Sequence, residues 1–110
     1  MKVSDVINSL GLNIISGQLG IDKEVTGGYV SDLLSDVMGN SKEGQIWITL
    51  QTHKNVLAIA SLKDLAAVIM VKGFQPDNDT IELSNEENVP VLVTSENTFD
   101  IAGKLYNLIK

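Results

Sequence analysis

Five consecutive polar residues, Gln51-Thr52-His53-Lys54-Asn55, form the segment of this chain that is best equipped for binding chemistry. Their amide, hydroxyl, imidazole and ammonium groups could all contact one anionic or nucleoside-like ligand, with Lys54 as a point charge. A second interpretation fits the same residues equally well: Thr52 or Asn55 only caps a helix, and His53 is a partly exposed loop residue. The residues therefore indicate a ligand-binding segment and leave the capping alternative open.

No catalytic set accompanies this segment. His53 is the only histidine and cysteine is absent, which excludes thiolate nucleophiles, cysteine-ligated metals and an imidazole metal cluster within one subunit. No Gly-x-Ser-x-Gly sequence is present to position a serine nucleophile. Residues 39–44 have the glycine spacing of a phosphate-binding loop, but Gln45 and Ile46 stand where a lysine and a hydroxyl residue are required. We therefore expect a protein that is not an enzyme and has no metal or cofactor.

The binding segment lies between a predicted strand and a predicted helix. Residues 45–50 alternate strongly enough for a strand, with Ile46 and Ile48 on one face and Trp47 on the other. Val56, Ile59 and Ala60 follow at helical spacing. His53 and Asn55 are therefore expected at a strand-to-helix junction.

The rest of the second half continues the alternation of strands and helices. Residues 66–71 form an unbroken apolar run, typical of a strand buried on both faces. A polar helix over residues 79–88 and a short strand over residues 89–93 follow, and the apolar positions Phe99, Ala102, Leu105, Tyr106 and Ile109 mark a terminal helix. Parallel strands joined by crossover helices are the consequence. The predicted fold class is α/β, a small Rossmann-like layered domain with a mainly parallel sheet and flanking helices.

In such sheets, ligands bind outside the carboxyl ends of the strands. Those ends are residues 49–53, 71–73 and 93–95. The predicted ligand-binding residues are Thr49, Gln51, Thr52, His53, Lys54, Asn55, Lys72 and Gly73. For Lys72 and Gly73, a solvent-facing lysine beside a turn glycine is the commoner reading, and contact with a phosphate is the functional one.

The first half of the chain predicts smaller elements. Apolar residues at helical spacing indicate a first helix that Ser4 caps and Gly11 ends, followed by a short strand over residues 13–16. A strand over residues 24–30 leads into a short helix that Ser31 caps and Gly39 closes. Asp32 and Asp36 stand four residues apart on that helix, where solvated first-turn charges are commoner than a working carboxylate pair.

Composition limits the partners. The 110 residues suffice for one domain, and the net charge is −6 with eight lysines and no arginine. Such a surface repels phosphate backbones, so we expect no nucleic-acid binding. No apolar run is long enough to span a bilayer and no secretory signal is evident, so we expect no membrane association and a cytoplasmic location.

Three stretches resemble a known family. Residues 25–39 read Val-Thr-Gly-Gly-Tyr-Val-Ser-Asp-Leu-Leu-Ser-Asp-Val-Met-Gly, residues 47–55 read Trp-Ile-Thr-Leu-Gln-Thr-His-Lys-Asn, and residues 89–92 read Val-Pro-Val-Leu. With them the chain resembles a single DRTGG domain over residues 1–110. The name-giving Asp-Arg-Thr-Gly-Gly is replaced by Glu24-Val25-Thr26-Gly27-Gly28, which lacks the arginine.

DRTGG domains resemble regulatory segments of phosphotransacetylases and of CBS-containing inorganic pyrophosphatases, and also the N-terminal domain of HPr kinase/phosphorylase. The resemblance implies a ligand-sensing or dimerising module and does not imply the chemistry of the host enzymes. We therefore expect a homodimeric, non-catalytic regulatory module that binds a phosphorylated or nucleotide-like small molecule. The alternative is an adaptor that docks a metabolic enzyme and binds no small molecule.

The glycine pair and the nearby aromatic residues are expected to serve the backbone or the dimer. Thr26, Gly27 and Gly28 could expose N–H groups to a ligand, but a bulge or a tight sheet contact is the favoured reading. Tyr29 and Trp47 could line a dimer contact, because aromatic side chains are favoured at interface cores. An ordinary second face of the sheet is the alternative for Trp47.

Overall fold

The computed structural model describes all 110 residues and contains one five-stranded sheet. Its helices and strands follow one another in the order α1 (Val3–Leu10), β1 (Asn13–Ser16), β2 (Gly27–Val30), α2 (Leu34–Asn40), β3 (Gln45–Thr49), α3 (Asn55–Leu62), β4 (Ala67–Met70), α4 (Asn78–Glu87), β5 (Val91–Val93) and α5 (Thr98–Ile109), with a short 3₁₀ turn at Gln18–Gly20. None of these helices combines the length and the apolar composition that crossing a bilayer requires.

The strands lie in the order β1-β5-β4-β3-β2. Strands β2 to β5 are parallel, and β1 pairs antiparallel with β5 at one edge. Strand β4 is buried along its whole length, as its unbroken apolar sequence predicts. The predicted α/β fold with a mainly parallel sheet and flanking helices is therefore confirmed.

Helices cover both faces of the sheet and create two apolar cores. Helices α1 and α5 pack over the face that presents Ile46 and Ile48. Helices α2, α3 and α4 cover the opposite face, where Trp47 is the largest buried side chain. The alternating sequence of β3 thus supplies both cores, because successive side chains of a strand point to opposite faces.

Several predicted boundaries in the first half were wrong. The strand predicted over residues 24–30 begins only at Gly27, because Glu24 instead forms an isolated bridge with Lys2. Helix α2 begins at Leu34 with Leu33 as its N-cap, and Ser31 accepts a hydrogen bond from the Leu33 N–H at 3.1 Å.

Two further predicted helix signals were wrong and one was confirmed. Gly39 lies inside α2, which continues to Asn40, so it does not supply a left-handed end. The N-cap of α1 is Lys2 and not Ser4. Gly11, by contrast, ends α1 in the left-handed conformation at φ 64°, as predicted.

Candidate functional site

The carboxyl ends of β2, β3, β4 and β5 lie along one side of the sheet, which we call the carboxyl edge. Strand β3 ends at Thr49 and α3 begins at Asn55, so the five polar residues of the sequence motif form the junction between them. Thr49 pairs with Met70, which places the Lys72-Gly73 turn beside the same junction. The structure thus brings the predicted ligand-binding residues to one edge.

Asp32, which follows β2, stabilises this edge through hydrogen bonds that we call the Asp32 brace. Its Oδ1 accepts hydrogen bonds from the Thr49 hydroxyl at 2.9 Å and from the Leu50 N–H at 2.7 Å. The Gln51 side-chain amide donates to the Asp32 carbonyl at 3.1 Å. Thr49 is 1% exposed, so its hydroxyl is fully used within the fold. Thr49 and Gln51 therefore stabilise the edge and have fewer free groups for a ligand than the sequence predicts.

Sequence reasoning missed the role of Asp32, which it placed on the short helix with Asp36, either as solvated first-turn charges or as a carboxylate pair. The structure separates the two carboxylates. Asp32 precedes α2 and bonds to β3, whereas Asp36 accepts from the Tyr29 hydroxyl and the Asn40 amide, each at 2.9 Å. Hydrogen bonds from these neighbours, Tyr29 first, lower the pKa of Asp36.

The main chain of Thr52 connects the edge to α4. Its carbonyl accepts from the Thr80 hydroxyl at 2.8 Å and from the Asp77 N–H at 3.2 Å. Neither Thr52 nor Asn55 caps α3, because the N-cap residue is Lys54 and no side chain bonds to the helix start. The predicted capping by Thr52 or Asn55 is therefore wrong, whereas His53 is a partly exposed loop residue, as the same alternative expected.

The start of α3 carries a run of free hydrogen-bond donors. The main-chain N–H groups of Thr52, His53, Lys54 and Asn55 donate to no acceptor within the chain. Thr52 and His53 lie in the loop before the helix, whereas Lys54 is the N-cap of α3 and Asn55 is its first residue. The first N–H groups of a helix have no partner in the helix itself, and they lie at the positive end of its dipole. Free N–H groups at a helix start and in the loop after a parallel strand can bind an anion, such as a phosphate group.

Two lysines supply the mobile positive charge of the carboxyl edge. Lys54 and Lys72 are exposed, and neither forms an ion pair. The Lys72-Gly73 turn is itself rigidly placed, since both residues have positive φ and their N–H groups donate to carbonyls of Glu96 and Thr94. Acidic residues of α4 line a shallow cleft of about 300 Å³ that Lys54 and Asn55 also border. That cleft repels anions, so the favourable position is above the helix start.

Two residues of the glycine motif, Gly28 and Thr26, lie in close contacts within the chain. A Cβ on Gly28 would lie 3.1 Å from Leu105 Cδ2 of α5, which is tighter than ordinary contact. A Cβ on Gly44 would lie 2.7 Å from Thr26, whose hydroxyl donates to the Glu43 carbonyl. A Cβ on Gly27, by contrast, would meet nothing closer than 3.8 Å. The geometry of Gly28 and Thr26 thus matches the tight-contact interpretation.

The two aromatic residues proposed for a dimer contact lie within the α2 side of the fold. Trp47 is fully buried, and its indole N–H donates to the Ser31 carbonyl at 2.8 Å. Tyr29 is partly buried against α2, with its hydroxyl bonded to Asp36. Trp47 therefore contributes no surface to a partner, and the ordinary second face of the sheet is where it lies.

The largest concave surface is one that the sequence did not reveal. A groove of about 590 Å³ runs between β2 and α5. Phe99 and Tyr106, two of the apolar positions that marked the terminal helix in the sequence, border this groove and are 87% and 69% exposed. Ile101 and Leu105 occupy the buried face of α5 instead. The signal that could have revealed the exposed face is the spacing of Phe99, Gly103 and Tyr106 on one side of α5.

Comparisons with known proteins agree with this architecture. The regulatory region of Clostridium perfringens pyrophosphatase, solved with its CBS and DRTGG domains and complexed with the activator diadenosine tetraphosphate, aligns with a TM-score of 0.69 at 18% identity. The alignment covers 94% of this chain and 44% of that one.

Sequence similarity extends over the same length. The uncharacterized protein YtoI of Bacillus subtilis (strain 168) is 24% identical over 113 residues, which cover 99% of this chain and 25% of that protein. The chain therefore spans about a quarter of this relative. The profile of the DRTGG domain matches residues 5–108. A match over nearly the whole chain shows that it belongs to the DRTGG domain family.

Proposed function

We propose that this chain is a non-catalytic, ligand-sensing regulatory module of the cytoplasm that acts as a homodimer. Its ligand is a phosphorylated or nucleotide-like small molecule bound at the carboxyl edge. The observation that carries this proposal is the run of four unpaired N–H groups, from Thr52 to Asn55, at the uncapped start of α3. The structurally similar pyrophosphatase region, whose activator is a dinucleoside polyphosphate, supports the same class of ligand.

In this proposal the residues of the carboxyl edge have distinct roles. A phosphate group above the α3 start accepts from the N–H run, and the ammonium groups of Lys54 and Lys72 approach it from two sides. His53 is partly buried in the same loop and contacts the non-phosphate part of the ligand. Without arginine, bidentate guanidinium contacts are absent, so the main chain and the lysines supply most of the affinity.

A bound ligand can influence the helices next to the carboxyl edge through two hydrogen-bonded connections. The Thr52 carbonyl joins the loop to the start of α4, and the Asp32 brace joins the end of β3 to the segment before α2. A ligand that orders the loop stabilises both connections. Binding energy at one edge is thereby coupled to the positions of two helices, which is the requirement for a regulatory module.

Isothermal titration calorimetry with adenine nucleotides, a dinucleoside polyphosphate and acyl phosphates tests the proposal. We expect at least one compound to bind more tightly than about 1 mM. The double variant Lys54→Ala/Lys72→Ala should weaken that binding at least tenfold by loss of about 1.4 kcal/mol. Lys63→Ala is the control, because Lys63 is a partly exposed lysine at the opposite end of α3. Absence of binding by every compound would overturn the ligand assignment.

A second candidate function is a protein–protein adaptor that docks a metabolic enzyme without a small molecule. Two exposed apolar side chains at the carboxyl edge favour it: Leu33 is 64% exposed and Phe74 is 48% exposed. Such residues are typical of interaction surfaces. An adaptor predicts a co-purifying partner whose binding is reduced by Leu33→Ser and Phe74→Ser but unaffected by alanine at His53 and Lys54.

A further inference from the structure

One side of α5 carries two large apolar residues that the fold leaves exposed, with two small residues between them. Phe99, Ala102, Gly103 and Tyr106 form this surface, which we call the α5 stripe. Phe99 is 87% exposed and Tyr106 is 69% exposed, and both border the groove between α5 and β2. Large aromatic side chains with so little contact, next to an apolar groove, are typical of a surface that another molecule covers.

Gly103 has no explanation within the chain. It lies in the middle of α5 with helical backbone geometry, and a Cβ at this position would meet no atom within 4 Å. Glycine in a helix interior is unfavourable relative to alanine. The space over Gly103 is therefore open in the single chain, and a glycine there is useful when a second backbone approaches closely.

The order of residues along the α5 stripe is symmetric. It reads aromatic, small, small, aromatic, as Phe99, Ala102, Gly103 and Tyr106, with its midpoint between the two small residues. An antiparallel copy of the same helix, related by a two-fold axis at that midpoint, places each Phe99 opposite the other copy's Tyr106. The small residues then face each other where the helices cross. A two-fold interface is self-complementary in this way, because each residue i meets j while j meets i.

From these observations we infer that the α5 stripe binds a second copy of this chain through antiparallel packing of α5 on α5. The two small residues allow the helix axes to approach, and two aromatic pairs form on either side of the crossing. Each aromatic pair also covers one end of a groove whose floor includes Gly28 and Val30. The interface thus lies on the opposite face of the sheet from Trp47 and Tyr29.

Charge favours a second copy as the occupant. Two chains of net charge −6 repel each other over most of their surfaces. The groove, however, contains no acidic residue, and Lys110 is its one charged residue. In the antiparallel arrangement Lys110 at the end of α5 approaches the start of the partner's helix, where Asp100 lies and where Glu96 is paired with Lys104 of its own chain at 2.6 Å. A parallel arrangement would instead bring like charges together.

The inference gives a surface to the homodimer of the proposed function and is independent of the ligand. Sedimentation velocity over a range of concentrations tests it, and we expect a reversible dimer. Phe99→Lys should raise the dimer dissociation constant at least tenfold, because a desolvated aromatic contact is lost. Leu19→Lys is the matched control, since Leu19 is 86% exposed but belongs to the 3₁₀ turn and not to the α5 stripe. A dimer that survives Phe99→Lys would refute the assigned surface, and so would a dimer that Leu19→Lys weakens equally. Neither result would contradict the existence of a dimer.

A mixing experiment tests the antiparallel register. The Phe99→Lys and Tyr106→Glu proteins should each be mainly monomeric. Their equimolar mixture should form a heterodimer, because one native aromatic pair is kept and the other is replaced by a lysine–glutamate pair. Leu62→Glu is the control for Tyr106→Glu, with 70% exposure at a site outside the stripe. A mixture that remains monomeric would refute the register, and a wild-type chain that is monomeric at every concentration would refute the interface. Calorimetry of ligand binding is unaffected by either result.

Discussion

At the carboxyl edge of the sheet several polar groups are bonded within the chain, whereas on the α5 stripe the two aromatic side chains are largely exposed. Thr49, Gln51 and the Thr52 carbonyl all have intramolecular partners, so the edge leaves free its N–H run, the side chains of residues 52, 53 and 55, and two lysines. Phe99 and Tyr106 are left largely exposed by the fold. The two regions therefore differ in how many of their functional groups already have contacts within the folded chain.

This difference shows which residues are informative about function. A polar side chain at the mouth of a parallel sheet is as easily a structural brace as a ligand contact, and Asp32 and Thr49 are braces. A residue that is unfavourable for the fold and unused by it, such as Gly103, points more directly to an external partner. Substitutions at the carboxyl edge should accordingly change the stability of the chain, whereas substitutions on the α5 stripe should mainly change its association.

The largest expected effect is on the brace at the carboxyl edge. Asp32→Ala removes the acceptor of the buried Thr49 hydroxyl and of the Leu50 N–H. Leaving a buried hydroxyl without a partner should lower the free energy of unfolding by about 2 kcal/mol. Urea denaturation measures this change as a lower midpoint.

Asp32→Asn is the matched control for that experiment. Asparagine keeps one side-chain oxygen, and the same single oxygen, Oδ1, accepts both hydrogen bonds in the wild-type chain. We expect a loss clearly smaller than that of the alanine variant. Equal losses for alanine and asparagine would mean that the charge, and not the hydrogen bonds, holds the edge together.

The fold was largely predictable from the sequence, and the reason is local. The unbroken apolar run of β4 and the alternation of β3 each specify burial through their own side chains. The start of β2 was not predictable in the same way. Glu24 pairs with Lys2, the N-cap of α1, and this long-range contact leaves no local sequence pattern.

The next prediction concerns the glycine pair that borders the groove. Gly28→Ala places a Cβ 3.1 Å from Leu105 Cδ2, and Leu105 is 2% exposed and cannot move freely. The overpacking should lower the free energy of unfolding by about 1 kcal/mol. Gly27→Ala is the control, with its nearest neighbour at 3.8 Å, and should change stability by less than about 0.5 kcal/mol. Equal effects at both positions would refute the packing role of Gly28.

The candidate site was only partly predictable. The strand-to-helix junction from Gln51 to Asn55 follows from sequence periodicity, and the structure places it as expected. The sequence does not show which of its side chains form hydrogen bonds within the fold, because the partner of Thr49 and Gln51 is Asp32, which lies 17 to 19 residues away. The exposure of Phe99 and Tyr106 could not be predicted from their type, which served only to mark the terminal helix, because apolar type alone does not distinguish a core from an interface.

Gly103→Ala should separate folding from association. Alanine is the better helix residue, so in the monomeric Phe99→Lys background it should raise the free energy of unfolding by about 0.5–1 kcal/mol. In the wild-type background the added Cβ holds the paired helices apart, and sedimentation should show a weaker dimer. Gly39→Ala is the matched control, because Gly39 is also a helical glycine with open space around its Cβ position. It should stabilise the chain without changing association, and a weaker dimer for Gly39→Ala would contradict the assigned surface.

The smallest expected effect is at Tyr29, on the α2 side of the sheet. Partial burial, together with its hydrogen bond to Asp36 and the charge of that carboxylate, raises the pKa of Tyr29, and the same hydrogen bond lowers the pKa of Asp36. A carboxyl whose pKa is lower in the folded chain stabilises it above the ordinary value of 3.8, and this contribution is lost as the pH falls through the folded pKa.

Tyr29→Phe should therefore raise the pKa of Asp36, measured by NMR titration, and should reduce the difference in urea midpoint between neutral and acidic solution. It should leave sedimentation unchanged, because Tyr29 lies on the face opposite the α5 stripe. An unchanged pKa of Asp36 would contradict the hydrogen bond. A weakened dimer would instead restore the contact that the sequence suggested for Tyr29, and would move the interface away from α5.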